Sequence, residues 1–182
     1  MDQITFITGN AGKAERLRKH LPIPLLHKSV DLPEIQSLDL REVAKHKAEE
    51  AYKYVNGPVL VEDVSLRFNA MKGLPGPLIK WFLQDLDNAG MCTMLNIYTD
   101  RSAVATVCFA LFDGNETHFF EESRNGIIAP EPRGPKRFGW DPIFIPEGYH
   151  KTWAEMTDEE TVSSSMRRPA LAKLQAYLES LK

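Results

Sequence analysis

Apolar and polar residues recur along this chain with two different periods, and the changes between them mark out an order of elements. Ile4-Thr5-Phe6-Ile7-Thr8 is short, rich in β-branched residues and bounded by Gly9-Asn10, so it reads as a strand running into a turn. Ala14, Leu17 and Leu21 then recur at helical spacing among lysines and arginines, which predicts an amphipathic helix stopped by Pro22. A second helix is predicted from about Leu40 to Tyr54, with Ala44, Ala48, Ala51 and Val55 on one stripe. Pro58-Val59-Leu60-Val61 reads as a buried strand that ends at Glu62-Asp63, and Ile79 to Leu86 reads as helix. The stretch from Ser102 to Phe112 is apolar on both faces, as a central sheet position requires. Asp113-Gly114-Asn115 turns it into a partner strand around Thr117 to Glu122. Ser163-Ser164-Ser165 reads as a polar loop and cap before a last helix. That helix has Pro169 near its start and a stripe of Leu171, Leu174, Leu178 and Leu181.

Strands and helices thus alternate first and a β-hairpin follows, the pattern of an α/β protein with a mixed sheet. The length of 182 residues, with 43% hydrophobic content and no internal repeat, low-complexity tract or linker, predicts one domain over 1–182. A formal net charge of −3 gives no general attraction to nucleic acid or to an anionic membrane, so neither is expected as a partner. A polyanionic substrate would have to be met by a local basic cluster and a metal. Cys92 and Cys108 lie far apart without a CxxC pair and read as reduced thiols packed as small core hydrophobes. No segment is long and apolar enough to span a bilayer, and MDQITFITGN has neither a basic leader region nor a cleavage site; the expected location is the cytoplasm.

Four groups of residues carry candidate chemistry. In ITFITGNAGKAERL a strand gives way to a glycine-bearing loop and then at once to a helix, whose first N–H groups lack intrahelical partners and carry partial positive charge. Thr8, Gly9 and Asn10 there, with Lys13 one turn on, suit a phosphate; the same pattern also serves as plain βα turn chemistry. GxxxxGK[ST] is absent, which excludes a P-loop. The second group is acidic. Glu34 lies in the proline-held loop DLPEIQS, and Glu62 and Asp63 stand at the end of a buried strand, where α/β proteins place ligands. Histidines 20, 27, 46, 118 and 150 have no HxH or HExxH spacing, so oxygen ligands and Mg²⁺ are favoured over zinc. Read one at a time, the acids are equally well solvated or capping residues. The third group is basic: Lys47 in KHKAEEA and Lys80, which lies between Leu78-Ile79 and Trp81-Phe82, where a lysine either serves a ligand or snorkels along a helix surface. The fourth is FGWDPIF at 138–144, in which Phe138, Gly139, Trp140 and Asp141 suit either a base-stacking pocket or a core aromatic cluster at a turn.

In combination, TGNAGK at 8–13, DLPE at 31–34, GPVLVEDVSLRFNAMKGLPGP at 57–77, IKWF at 79–82, FGWDPIF at 138–144 and EGYHKTWAEM at 147–156 resemble the inosine triphosphate pyrophosphatase family, nearly from end to end. The resemblance implies an elongated, two-lobed α/β fold with a mixed central sheet flanked by helices and an active-site cleft between the lobes. It also implies a homodimer and Mg²⁺-dependent (or Mn²⁺-dependent) hydrolysis of ITP, dITP and XTP to monophosphate and pyrophosphate. By position, Thr8, Gly9, Asn10, Lys13, Lys47 and Lys80 would hold the phosphates, and Glu34 and Asp63 the metal. Asp63, Glu62 and Lys13 would serve catalysis, and Phe138, Gly139, Trp140, Asp141, Ser165, Met166 and Arg167 the base.

One segment departs from the family. After the Ala-Glu-Met turn the family usually reads Glu-Lys-Asn-x-x-Ser-His-Arg, and this chain reads EETVSSSMRR at 159–168. Ser165 and Arg167 match, while Thr161 replaces the lysine, Val162 the asparagine and Met166 the histidine. Lysine and histidine can donate to the 6-keto oxygen of inosine or xanthine, and Met166 has no donor. Two expectations follow: an active enzyme with altered base selectivity, or a catalytically weak nucleotide-binding or structural paralogue of the same fold. The intact Thr8, Lys13, Glu34, Asp63 and Lys80 favour the enzyme.

Overall fold

The structure, a computed structural model, describes residues 3–9, 11–18, 21–55, 57–135 and 139–181, and of Arg16 the backbone alone. In chain order the elements are β1 (Ile4–Ile7), α1 (Ala11–Arg18), β2 (Leu25–Lys28), α2 (Leu40–Val55), β3 (Val59–Phe68), β4 (Pro75–Gly76), α3 (Ile79–Met94), β5 (Ser102–Phe112), β6 (Thr117–Ile128), β7 (Phe144–Pro146), α4 (Asp158–Ser164) and α5 (Arg167–Ser180). A seven-stranded sheet runs in the order β2-β1-β3-β5-β6-β7, with β4 paired to β3. β1 is parallel to both β2 and β3, whereas β3–β4 and β6–β7 are antiparallel, so the sheet is mixed as expected. The chain gathers into two compact units, one of residues 1–63, 107–122 and 169–182, the other of 64–106 and 123–168.

In the first unit, Leu40, Ala44, Ala48 and Ala51 of α2 pack on Ile7 of β1, Val59 and Val61 of β3, and Cys108 and Ala110 of β5. The alanines let the helix backbone approach the sheet closely. A larger side chain at the fully buried Ala48 would have to be forced into that contact, at about 1–3 kcal/mol. β3 presents Val59 and Val61 to α2 because strand residues alternate faces. The β5–β6 connection is closed by Asp113, whose Oδ1 accepts from the N–H groups of Asn115 and Glu116, each at 2.8 Å. Gly114 there has φ +103°, and a Cβ on it would run into the Tyr52 hydroxyl, so the turn needs glycine twice over.

Both thiols are buried, and burial pushes Cys92 up to about 11 and Cys108 up to about 12. Neither therefore offers a reactive thiolate near neutral pH. A water-soluble aromatic disulfide reagent is expected to leave the native protein unlabelled and to titrate both cysteines once it is unfolded; rapid labelling of the native form would contradict their core placement.

The last helix keeps the middle of the predicted stripe and departs from it at both ends. Its buried residues are Ala170, Leu174 and Leu178, while Leu171 is half-buried and Leu181 lies exposed beyond the helix end. Tyr177 takes up part of the contact, its ring 4.6 Å from that of His118 and 5.4 Å from that of Phe120. The first helix is described as far as Arg18, and Leu21 lies outside any helix.

In the second unit, α3 is broken where the sequence reading ends its helix after Leu86. Asp87 adopts φ 54° and ψ −171°, and its Oδ1 accepts from the N–H groups of Ala89 (2.7 Å) and Gly90 (3.0 Å), capping the turns that follow. The serine run is not the loop expected. Ser163 and Ser164 belong to α4, which opens with Thr157 and Glu160 in a reciprocal capping box. Ser165 does act as a cap, its Oγ accepting from the N–H of Arg167 at 3.1 Å. No helix among the described residues is long and apolar enough to cross a membrane.

Candidate active site

Glu62 and Asp63 do not stand beyond the end of a strand, as the sequence suggests. β3 continues through them to Phe68. Alternation along the strand sends the two side chains to opposite faces, Asp63 to the face of Val59 and Val61, Glu62 to the other. Each meets a lysine delivered by a helix. Lys47 Nζ lies 2.9 Å from Asp63 Oδ1, and Lys13 Nζ lies 3.3 Å from Glu62 Oε1. The charged pair can remain in the strand because these partners compensate the loss of hydration.

Lys47 reaches Asp63 because it lies on the buried stripe of α2: positions 44, 47, 48 and 51 share one helix face, so the lysine follows the alanines toward the sheet. Its ammonium is also 3.7 Å from Glu34 Oε1. The loop carrying Glu34 is anchored by Val30 and Leu32, which pack against the core beneath α2. Lys47 thus gathers Glu34 and Asp63. Burial presses the Lys47 ammonium toward neutrality, but Asp63, Glu34 and Glu62 outweigh it and hold its pKa above the usual lysine value. Burial pushes the Asp63 carboxyl above the usual carboxylate range despite the pull of Lys47.

Among the described residues, Asp63 Oδ2 is buried without a hydrogen-bond partner. An orphaned carboxylate oxygen is costly and calls for a partner of positive charge. Among the described residues no three or more His, Cys, Asp or Glu side chains cluster as a ligand set. Glu34 and Asp63 remain a donor pair suited to a hard divalent ion that keeps most of its waters, and the orphaned oxygen is where such an ion fits.

At the loop after β1, both main-chain groups of Thr8 are held by β2. Its N–H donates to Lys28 O at 3.2 Å, and its carbonyl accepts from His27 Nε2 at 2.7 Å. β2 is an element the sequence reading lacks. Asn10, expected beside Thr8 and Gly9 at the phosphates, lies outside the described residues, as does Phe138 at the base.

The other expected residues belong to the second unit. Lys80 is exposed at the start of α3, its Nζ 5.2 Å from the centroid of the Trp81 ring. Trp140 is buried in an aromatic cluster, edge-on to Phe144 (5.7 Å) and tilted against Trp153 (5.4 Å). Its indole therefore has the core role that was one of two readings of FGWDPIF. The neighbouring Gly139 is exposed and Asp141 half-buried. Met166 is buried, with 1% of its surface exposed, while Ser165 and Arg167 are half-buried. Of the departures from the family segment, Thr161 spends its hydroxyl on the carbonyl of Thr157 at 2.9 Å, and Val162 is exposed.

Lys47 is the residue whose placement the sequence could have disclosed, as a lysine inside an alanine stripe. His27 carried no such signal, since Leu25–Lys28 is too short to show a period and only Leu25 in it is buried.

The family model for the Ham1 family matches residues 4–177. The chain is similar in structure to the Ham1 protein of Staphylococcus aureus, with a TM-score of 0.83 and 27% identity over 100% of both chains. It is also similar to a HAM1 protein from Coxiella burnetii, with a TM-score of 0.86 and 26% identity over 99% of this chain and 100% of that one. A Mycobacterium abscessus protein described as a nucleoside-triphosphatase / dITP/XTP pyrophosphatase gives a TM-score of 0.78 and 28% identity, over 94% of this chain and 98% of that one. With a match running from the first strand to the last helix, the chain belongs to the Ham1 family, that of the inosine triphosphate pyrophosphatases its motifs resemble.

Proposed function

We propose that this chain, as one catalytic domain over 1–182, hydrolyses non-canonical purine nucleoside triphosphates such as ITP, dITP and XTP to the monophosphate and pyrophosphate. The observation that carries the reading is the arrangement around Asp63. A carboxylate with one oxygen on Lys47 and, among the described residues, the other orphaned is followed back along β3 by a second acid, Glu62, on the opposite face and paired with Lys13 of α1. Family membership and the dITP/XTP pyrophosphatase among the similar structures point the same way.

In this reading Thr8, Gly9, Asn10 and Lys13 grip the triphosphate, with Lys47 and Lys80 adding positive charge. Glu34 and Asp63 would hold Mg²⁺ or Mn²⁺, which would supply charge neutralisation and acidify a water at the site. Asp63, supported by Glu62, takes a proton from the water that attacks the α-phosphorus. The new P–O bond forms as the α–β bridging bond breaks, and pyrophosphate leaves with its developing charge met by Lys13. Positioning and charge stabilisation account for most of the rate in such a transfer.

The base is assigned to the segments of Phe138, Gly139, Trp140 and Asp141 and of Ser165, Met166 and Arg167, with the buried Trp140 and Met166 backing the pocket rather than bonding to the base. Here the chain is proposed to depart from its relatives. A site that hydrogen-bonds a polar group rejects analogues strongly, and one stripped of its donors does so poorly. Met166 has no donor and the Thr161 hydroxyl is engaged on its own helix, which leaves Arg167 to recognise the 6-keto oxygen. Relaxed selection among purines follows. A homodimer and a cytoplasmic location complete the proposal, both carried by the family resemblance.

The test is product analysis with ITP, dITP, XTP, GTP and ATP, with Mg²⁺ and with a chelator. Pyrophosphate and monophosphate are expected from ITP, with hydrolysis lost on chelation. Release of orthophosphate alone, or no turnover, would overturn the reading, the latter in favour of a nucleotide-binding paralogue. Rejection of GTP and ATP by more than about 100-fold in kcat/KM would remove relaxed selection while leaving the hydrolase intact.

A further inference from the structure

The hold of β2 on Thr8 has a specific chemical consequence. A carbonyl oxygen only accepts, so at 2.7 Å from it the Nε2 of His27 carries the proton, whatever the state of Nδ1. The Thr8 carbonyl and the Gly9 N–H belong to one planar peptide, and in the trans form the two groups point in opposite directions. The only cis bond among the described residues is Leu74–Pro75, so this peptide is trans. Fixing the oxygen toward β2 therefore turns the Gly9 N–H away from β2.

Without such a hold this peptide would be easily reoriented. Glycine lacks the Cβ that restricts φ and ψ in other residues. Crowding does not demand glycine here, because the nearest atom to a Cβ on Gly9 would be Ser29 Oγ at an ordinary 3.9 Å. What glycine brings to the loop is conformational freedom, and a loop that must present an N–H in one direction then needs something to remove that freedom. The parallel register, with His27 opposite Phe6 and Lys28 opposite Ile7, brings both restraints to Thr8 from one short strand.

Resting on the phosphate role proposed above for this loop, we propose that His27 is a positioning residue: it locks the Thr8–Gly9 peptide so that the Gly9 N–H is presented to a phosphate oxygen of the substrate. The same hydrogen bond polarises the peptide and makes that N–H a stronger donor, since bonds at the two ends of one amide reinforce each other. His27 itself stays off the substrate and acts through the loop.

The experiment compares the wild type with His27→Ala and His27→Gln, the glutamine restoring an N–H donor. His27→Ala is expected to raise the KM for ITP about fivefold to tenfold, the effect of roughly one hydrogen bond, with kcat within about twofold. His27→Gln is expected to recover most of that loss. In NMR titrations with pyrophosphate and Mg²⁺, the Gly9 amide resonance should shift strongly in the wild type and much less in His27→Ala. Should the alanine variant fail to fold, His27→Leu fills the space without a donor and takes its place. An unchanged KM and an unchanged Gly9 response in the donorless variant would overturn the proposal, as would an equal loss in the glutamine variant. Failure of the wild type to release pyrophosphate from ITP would instead sink the hydrolase reading. The Gly9 titration would then decide the lock by itself, absence of a shift in the wild type overturning it.

Discussion

Asp63→Asn is expected to lower kcat for ITP by about 10³-fold, within the range for loss of a proton acceptor, and to leave the protein folded. Asparagine matches aspartate in size and keeps an oxygen for the Lys47 ammonium, so packing at the end of the α2 contact survives. It cannot take a proton from water, and it offers a divalent ion no charge. Burial already disfavours the ionised form of Asp63, and Lys47 retains Glu34 at 3.7 Å, so neutralising position 63 should shift the melting temperature by no more than a few degrees. Single-turnover pyrophosphate release, with a thermal melt of the same sample, separates the two effects. Activity within tenfold of the wild type would remove Asp63 from the chemistry; loss of activity with a collapsed melting transition would make its role structural.

Lys47→Met is expected to be the most damaging substitution for stability. It deletes the cation between Glu34 and Asp63 and leaves two carboxylates facing each other, one of them largely buried. Removing one partner of a buried pair costs about 3–5 kcal/mol, and with 19% and 17% of the two side chains still exposed the lower figure applies. About 3 kcal/mol corresponds to a drop of roughly 10 °C in melting temperature for a chain of this size. The pH dependence has a definite sign. The Lys47 pKa is raised in the folded wild type, so its stabilising contribution is complete below the ordinary lysine value of 10.5 and is lost as pH rises through the folded value. In the variant the Asp63 pKa should rise further above its ordinary 3.8, so the deficit should shrink as pH falls from 7 toward 4 and Asp63 takes up a proton. A divalent cation can stand in for the missing ammonium: added Mg²⁺ should raise the melting temperature of Lys47→Met by more than it raises that of the wild type. A variant indifferent to Mg²⁺ would argue against Glu34 and Asp63 as a metal-binding pair.

Several elements were legible because their signal is local and repeated. β5 was read with its observed limits, since an apolar run of that length has few other uses than a central strand. α2 was read to within a residue, since four turns of alanine and polar residues leave one consistent phase. The shortest elements were not legible. β4 and β7 have two and three residues, too few for any period, and β2, although as long as β1, buries only Leu25 where β1 buries all four of its residues. α4 has the capping-box spacing of Thr157 and Glu160 but no apolar stripe after it, so its sequence does not announce a helix. In α5 the stripe holds at Leu174 and Leu178, while Ala170 takes the buried place expected of Leu171, because an alanine can pack as deeply as a leucine where the surfaces are close.

At the site the division is sharper. Residue types and their local order mark the candidates for phosphate chemistry and fix the strand–loop–helix order around the loop after β1, because hydrophobic period and turn chemistry act between near neighbours. The sequence by itself places Glu62 and Asp63 just past a strand, because the apolar run ends at Val61. Only the tertiary structure decided that the strand continues, since the lysines that make buried carboxylates tolerable come from α1 and α2 and meet β3 after the helices have crossed the sheet. Only it decided that one Asp63 oxygen is left for a further partner, and that a histidine from a strand too short to recognise holds the Thr8 carbonyl. These are contacts between residues 16 to 49 positions apart, and no local period encodes them.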